Sequence, residues 1–204
     1  MSGNLQTVEQ QPFNRWLIAL LESHDIAYAV GGSVAAMAYS EPRYTIDVDL
    51  MVALSLPDLE ALIGEIERQG LYVDPFETVL EFNLPAVLPI SIVDARHGMK
   101  ADVYVARSTG LDVSAMQRRQ RRVLYASPEL EAWFLSPEDV ILYKLDYFRQ
   151  SDGHSTKHPA DIGKMLAVSG RKLDLAYMTA WATKLGVLPM WQALWSEFDA
   201  RSKQ

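Results

Sequence analysis

Apolar residues at Phe13, Trp16, Leu17, Leu20 and Leu21 recur at the three- and four-residue spacing of a single helix face, which predicts a helix over residues 13–24. The short apolar run over residues 26–30 ends in Gly31 and Gly32 and predicts a strand feeding a tight turn. Ser33 is the expected N-cap of a helix of small residues over 34–39, which Glu41-Pro42 ends. Over residues 46–52 the period changes to two. Ile46, Val48, Leu50 and Val52 point one way and Asp47, Asp49 and Met51 the other, the strongest strand pattern in the chain. Pro57 opens another helix, with Leu59, Leu62, Ile63 and Ile66 on one face and Gly70 past its end.

The segment 72–105 reads as mostly extended, with strands expected around residues 82–84, 91–94 and 100–105. In the last of these, Ala101, Val103 and Val105 lie opposite Asp102 and Tyr104. After Pro137 the pattern turns helical. Ser136 caps a helix carrying Val140, Ile141, Tyr143, Leu145 and Phe148, residues 150–156 form a polar loop, and further helices are predicted over 159–168, 173–185 and 189–198. Trp181, Trp191 and Trp195 fall at spacings that bury a helix face, so they are assigned to core packing. The fold expected is α/β (α+β): a mixed β-sheet with packed helices over residues 1–130, and a C-terminal helical region over 131–204 packed on it.

Composition narrows the chemistry. The chain has 204 residues, about half of them apolar, and no cysteine, so any metal must take oxygen or histidine ligands. No stretch approaches the roughly 18 uncharged apolar residues of a membrane span. The first eleven residues lack an apolar signal core, which gives the expectation of a cytoplasmic protein without membrane partners. A net charge of -7 argues against non-specific nucleic-acid binding over the whole surface. The one dense basic cluster, Arg118-Arg119-Gln120-Arg121-Arg122, reads either as a solvated segment between elements or as a phosphate-contacting edge.

Asp47 and Asp49, two apart on a strand, send their carboxylates out of one face with Cα atoms about 6.6 Å apart. That spacing suits a pair of hard cations, and phosphoryl chemistry with two metals wants ions about 3.5 to 4 Å apart. Oxygen ligands suit Mg²⁺, with Mn²⁺ the alternative. Asp102 has the residue type, strand context and side-chain direction of a third carboxylate. Gly31-Gly32-Ser33 supplies the other half: glycines admit a phosphate close to the backbone, and the amides opening the next helix favour an anion. Gly-Gly turns and lone Asp-x-Asp pairs are each commonplace. Strand, Gly-Gly-Ser, helix and return strand with Asp47 and Asp49, followed by a strand with Asp102, together point to nucleotidyl transfer.

The chain resembles the polymerase-beta-like nucleotidyltransferase superfamily. Within it, Val30-Gly31-Gly32-Ser33, the stretch Glu41-Pro42-Arg43-Tyr44-Thr45-Ile46-Asp47-Val48-Asp49-Leu50 and the stretch Ser136-Pro137-Glu138-Asp139-Val140-Ile141-Leu142-Tyr143-Lys144-Leu145 are similar to the AbiEii/AbiGii toxin-like nucleotidyltransferases and their bacterial relatives. Lys157-His158-Pro159-Ala160-Asp161-Ile162 is similar to a basic segment of those relatives, although they often carry a basic residue where this chain has Ala160. The resemblance spans residues 15–190. It implies a nucleotidyl-transfer fold, Mg²⁺-dependent use of a nucleoside triphosphate, a tRNA 3′ end as acceptor in the toxin members, and a cognate antitoxin as partner.

Carried across, Ser33 is the phosphate-loop residue with Gly31 and Gly32, Asp47 and Asp49 are metal ligands, and Asp102 is the third carboxylate. Lys144 and Lys157 are candidates for phosphate contacts, and Asp161 for orienting one of them. Arg43, just ahead of the catalytic strand, contacts base or phosphate or else forms a surface salt bridge; Lys144 reads equally as a lysine that snorkels from an apolar helix. His154, His158 and Asp161 have zinc-like spacing only if one helix carries all three, and Pro159 argues for a helix starting near it instead. The acceptor stays open between RNA, a protein hydroxyl and a small molecule such as an aminoglycoside. The alternative function is a catalytically weak or inactive nucleotide-binding protein of the same fold, such as a toxin–antitoxin component. Sugar transfer from a nucleotide-sugar shares the Asp-x-Asp but does not explain Gly31-Gly32-Ser33 or Asp102.

Overall fold

The computed structural model describes residues 10–41, 45, 47–74, 89–151, 154 and 157–203. The strand expected around residues 82–84, and Arg43, lie outside the described residues. In chain order the elements are α1 (Gln10–Ser23), β1 (Tyr28–Val30), α2 (Gly32–Ala38), β2 (Asp47–Val52), α3 (Leu56–Arg68), β3 (Ile90–Asp94) and β4 (Met99–Val105). They continue as α4 (Leu111–Arg118), β5 (Gln120–Ala126), β6 (Glu129–Phe134), α5 (Pro137–Gln150), α6 (Lys157–Ser169), a 3₁₀ turn (Gly170–Lys172), α7 (Leu175–Lys184) and α8 (Leu188–Arg201).

The strands form one mixed six-stranded sheet in the order β3-β4-β2-β1-β6-β5. β2 lies parallel to β4 and β1 parallel to β6, while β1/β2, β3/β4 and β5/β6 are antiparallel. The central strands β1 and β2 bury Tyr28, Ala29, Val30, Val48, Leu50 and Val52. α1 adds Phe13, Leu17 and Leu21, and α3 adds Leu59, Leu62 and Ile66, the positions their 3.6-residue periods picked out.

Two helix starts follow directly from sequence. Ser55 accepts from the Asp58 amide at 3.3 Å while the Asp58 carboxylate accepts from the Ser55 amide at 2.9 Å, a capping box with Pro57 in the first turn. Ser136 accepts from the Asp139 amide at 3.2 Å and donates to its carboxylate at 2.5 Å. The cap expected at Ser33 is displaced: α2 starts at Gly32, and its N-cap, Gly31, has no side chain to cap it. Aspartate from β2 occupies that helix end in place of a serine hydroxyl.

The hairpin β5–β6 extends the sheet beyond β1, and α5 starts three residues after it, at Pro137. Its arginines, with Arg118 and Arg119 just ahead of it, explain the basic cluster. Arg118 pairs with Glu138 at 3.1 Å and lies 4.0 Å from the Tyr177 ring centre. Arg119 and Arg121 sit over Trp133, Arg122 sits over Tyr39, and Arg121 also reaches Glu22 at 3.0 Å. These guanidiniums are therefore spent on aromatic faces and carboxylates within the fold. In the helical half, Trp191 is buried, and Trp181 and Trp195 pack half-buried against the same core, as their spacing predicted. Among the described residues no helix is long and apolar enough to cross a membrane.

Candidate active site

β1 delivers the chain to Gly31, whose amide donates to the Asp49 carbonyl at 2.8 Å and thereby ties the turn to β2. Gly32 has a φ of +55°, a backbone that side chains rarely adopt. A Cβ placed there would lie 2.7 Å from the Asp49 Cβ and closer still to its carboxylate, so the aspartate packs against the bare Cα of the glycine. The Ser33 amide donates to Asp49 Oδ2 at 3.4 Å. The turn and the first strand of carboxylates thus form one unit.

The parallel pairing of β2 and β4 sets Asp47 beside Lys100, Asp49 beside Asp102 and Met51 beside Tyr104. Directly paired residues share a face, so Asp47, Asp49 and Asp102 stand together with neighbouring strands about 4.8 Å apart. Burial pushes the Asp49 carboxyl up from its ordinary value, with Asp102 and Asp47 adding to the rise while the Ser33 amide and Lys144 oppose it. A carboxylate raised in this way is held in a site that disfavours its charged form.

Asp102 is held on both sides: Ser91 donates to its Oδ1 at 2.8 Å, and the Lys100 ammonium lies 2.9 Å from the same oxygen. Among the described residues, no three Asp, Glu or His side chains are already gathered around a point that would hold an ion. In kind and placement the donors nevertheless fit a hard divalent cation. All are carboxylate oxygens, they line one cavity, and Asp49 stands beside two further carboxylates, a grouping of like charges that a cation would relieve.

That cavity holds about 360 Å³, with β2 and β4 as its floor and α5 and the start of α6 as its wall. Gly31, Gly32, Ser33, Asp47, Asp49, Asp102, Lys144 and Lys157 all line it, so the structure brings together the predicted site residues that it describes, apart from Asp161. Asp161 lies behind the wall, buried, with its Oδ2 at 2.9 Å from the Lys144 Nζ. Lys144 therefore does not snorkel: it is buried, held by α6, and its charge reaches Asp49. Lys157 is exposed in the first turn of α6. His154 lies outside that helix and exposed, apart from His158, which is in its first turn.

Sequence reasoning missed two further groups at this cavity and one lysine beside its carboxylates. Asp112 is buried and accepts from the Arg107 amide and Nε at 2.9 Å each, from Arg107 Nη2 at 3.1 Å and from the Tyr143 hydroxyl at 2.7 Å. Tyr104 meets Tyr147 edge-on with ring centres 6.0 Å apart, and Tyr147 lies nearly parallel to His158 at 6.1 Å. Lys100 masks Asp102. The signal for the tyrosines was present: Tyr104 shares the face of Asp102 on β4, and Tyr143 and Tyr147 share the α5 face of Lys144.

No protein-family model matches the chain, and no curated protein matches it by sequence. Solved structures do. The chain superposes on ANT(2'')-Ia in complex with adenylyl-2''-tobramycin with a TM-score of 0.53 at 15% identity, covering 96% of this chain and 99% of that one. The fold is the nucleotidyltransferase fold. An antigenic nucleotidyltransferase-like protein from Paracoccidioides brasiliensis gives 0.50 at 19% identity over 94% of each chain. The lincosamide antibiotic adenylyltransferase LnuA, lincomycin-bound, gives 0.51 at 14% identity over 78% of this chain and 97% of its own. The nucleotidyltransferase fold accounts for the mixed sheet and its packed helices, as the strand and turn pattern predicted.

Proposed function

We propose that the protein is a metal-dependent nucleotidyltransferase that moves a nucleoside monophosphate from a nucleoside triphosphate to an acceptor hydroxyl. The observation that carries this reading is the registered Asp49–Asp102 pair standing against the Gly31-Gly32-Ser33 turn. Asp47, Asp49 and Asp102 would hold Mg²⁺, or Mn²⁺, which would neutralise phosphate charge and acidify the attacking hydroxyl.

The backbone of Gly32 and Ser33 approaches the triphosphate at the start of α2, where the helix dipole favours an anion. Lys144, fixed by Asp161, presents a buried ammonium to the phosphates, and Lys157 adds an exposed one. Asp102 takes the proton from the acceptor hydroxyl. A new bond forms between the acceptor oxygen and the α-phosphorus, the bond from that phosphorus to the β-phosphate bridge breaks, and pyrophosphate leaves. Most of the acceleration in this scheme comes from placing charge and reactants in advance. Residues 131–204 close one side of the cleft through α5 and α6.

The acceptor best supported is the hydroxyl of a small molecule, because the two antibiotic-bound neighbours match this chain over nearly their whole length. The toxin role, with its tRNA acceptor and antitoxin partner, rests on the sequence resemblance. The test is incubation with each α-labelled triphosphate, Mg²⁺ and candidate acceptors or a cell extract. Wild type labels one fraction and Asp47→Asn labels none while keeping its fold; equal labelling by both would refute the proposal.

A second reading, a nucleotide-binding protein with little transfer activity, draws on Lys100, which already satisfies the carboxylate that should take the proton. Calorimetry that finds triphosphate binding without pyrophosphate release would favour it.

A further inference from the structure

We infer that Tyr147 and His158, backed by Tyr104, form the subsite that receives the nucleobase of the triphosphate. The inference rests on the reading of the cavity as a triphosphate site and goes beyond it. All three side chains line the cavity that holds the carboxylates and Lys144, yet none has a phosphate- or metal-binding task there. Tyr147 and His158 come from different helices, α5 and α6, and their rings lie within 21° of parallel with centres 6.1 Å apart. Tyr104 rises from β4 beside Met51 and buttresses Tyr147 edge-on at 70°. Aromatic side chains that wall a cavity beside charged groups are the ordinary platform for a base, since every base has a π face.

Two details separate this wall from plain core packing. The Nδ1 of His158 is buried and has no hydrogen-bond partner among the described residues. An unpaired buried nitrogen is costly, and a rotation of the ring toward the cavity would let the edge of a base supply the missing partner. Burial and the nearby Lys144 lower the imidazole's affinity for protons, so the ring is neutral and can stack and hydrogen-bond without a charge of its own. The second detail is distance along the site. Tyr104 stands two residues along β4 from Asp102 on the same face and Tyr147 packs on it, so the rings lie beside the carboxylates proposed to hold the phosphates, as a base joined to them requires.

The chemistry recognised is a planar heterocycle joined to a polyphosphate, and inorganic tripolyphosphate separates the two parts. Binding of ATP, GTP, CTP and UTP, and of tripolyphosphate alone, is measured with Mg²⁺ by calorimetry on the intact protein. Tyr147→Leu keeps the apolar bulk and removes the ring; Tyr147→Phe keeps the ring. Tyr147→Leu should weaken the preferred triphosphate roughly five- to a hundredfold, the range of one lost base–ring stack, and leave tripolyphosphate within twofold. Tyr147→Phe should bind near wild type, and His158→Leu should narrow the spread among the four nucleotides. Nucleotide binding unchanged in Tyr147→Leu, or an equal loss for nucleotide and tripolyphosphate, would overturn the subsite. A wild type that binds tripolyphosphate as tightly as every nucleotide would overturn the subsite alone. A wild type that binds neither would overturn the triphosphate site itself.

Discussion

Replacing Gly32 by alanine tests the join between turn and carboxylate at a single carbon atom. Gly32 has φ +55°, and the left-handed region costs a residue with a Cβ about 1 to 2 kcal/mol. The new methyl would also lie 2.7 Å from the Asp49 Cβ, so Asp49 has to move, and crowding of that kind costs about 1 to 3 kcal/mol. Together Gly32→Ala should lose about 2 to 5 kcal/mol, which for a chain of this length lowers Tm by about 4 to 20 °C. Gly31 is the internal control. Its φ is -121°, and a Cβ there would meet only Leu135 Cδ1 at 3.3 Å, with the Asp49 carbonyl at 3.8 Å. Gly31→Ala should therefore change stability by less than about 1 kcal/mol, part of the strain being offset by the stiffer unfolded chain. Urea unfolding at pH 7 measures both, and Mn²⁺ titration of each folded variant and of wild type tests the proposed ligation by Asp49. If Gly32→Ala were no less stable than Gly31→Ala, the packing of Asp49 on the bare glycine would be wrong.

Two further perturbations address the walls of the site. Asp161→Leu leaves the Lys144 ammonium buried without its carboxylate, and such losses run about 3 to 5 kcal/mol; Asp161→Leu with Lys144→Met should recover much of it, and additive losses in urea unfolding would contradict the buried pair. Asp112 is the pH probe: burial raises its carboxyl, but the donors on Arg107 and Tyr143 outweigh this and hold it below its ordinary value of 3.8. A lowered folded value means stability that is present above the unfolded pKa and lost as pH falls through the folded one. Asp112→Asn should thus cost about 2 to 3 kcal/mol at pH 7, with the gap to wild type closing on acidification; a gap independent of pH would refute the charge-based account.

The parts of the fold that were legible in the sequence are those whose period is set by one buried face. β2 was expected over residues 46–52 and is observed over Asp47–Val52; β4 and the helix started by Ser136 and Pro137 fall within a residue or so of their patterns. The hairpin β5–β6 was not legible. Its Gln120–Ala126 strand lies at the sheet edge, and its arginines look solvent-bound in sequence but lie on Trp133 and Tyr39, a contact that only the tertiary fold creates. The common face of Asp47, Asp49 and Asp102 was legible because alternation along each strand fixes a face. The clamp of Lys100 on Asp102 and the placing of Asp161 behind Lys144 depend on neighbouring elements that no local spacing encodes. The same holds for the pairing of Tyr147 with His158, which brings two helices together.

The central claim is that the Asp47, Asp49 and Asp102 carboxylates and the Gly31-Gly32-Ser33 turn form one transfer site. Its most direct test is to count pyrophosphate released against nucleotide incorporated, with Mg²⁺ and the labelled acceptor fraction, in wild type and in Asp49→Asn. Wild type should release one pyrophosphate for each nucleotide transferred, and Asp49→Asn should give neither product. Transfer by Asp49→Asn at the wild-type rate, or incorporation without pyrophosphate, would contradict that claim.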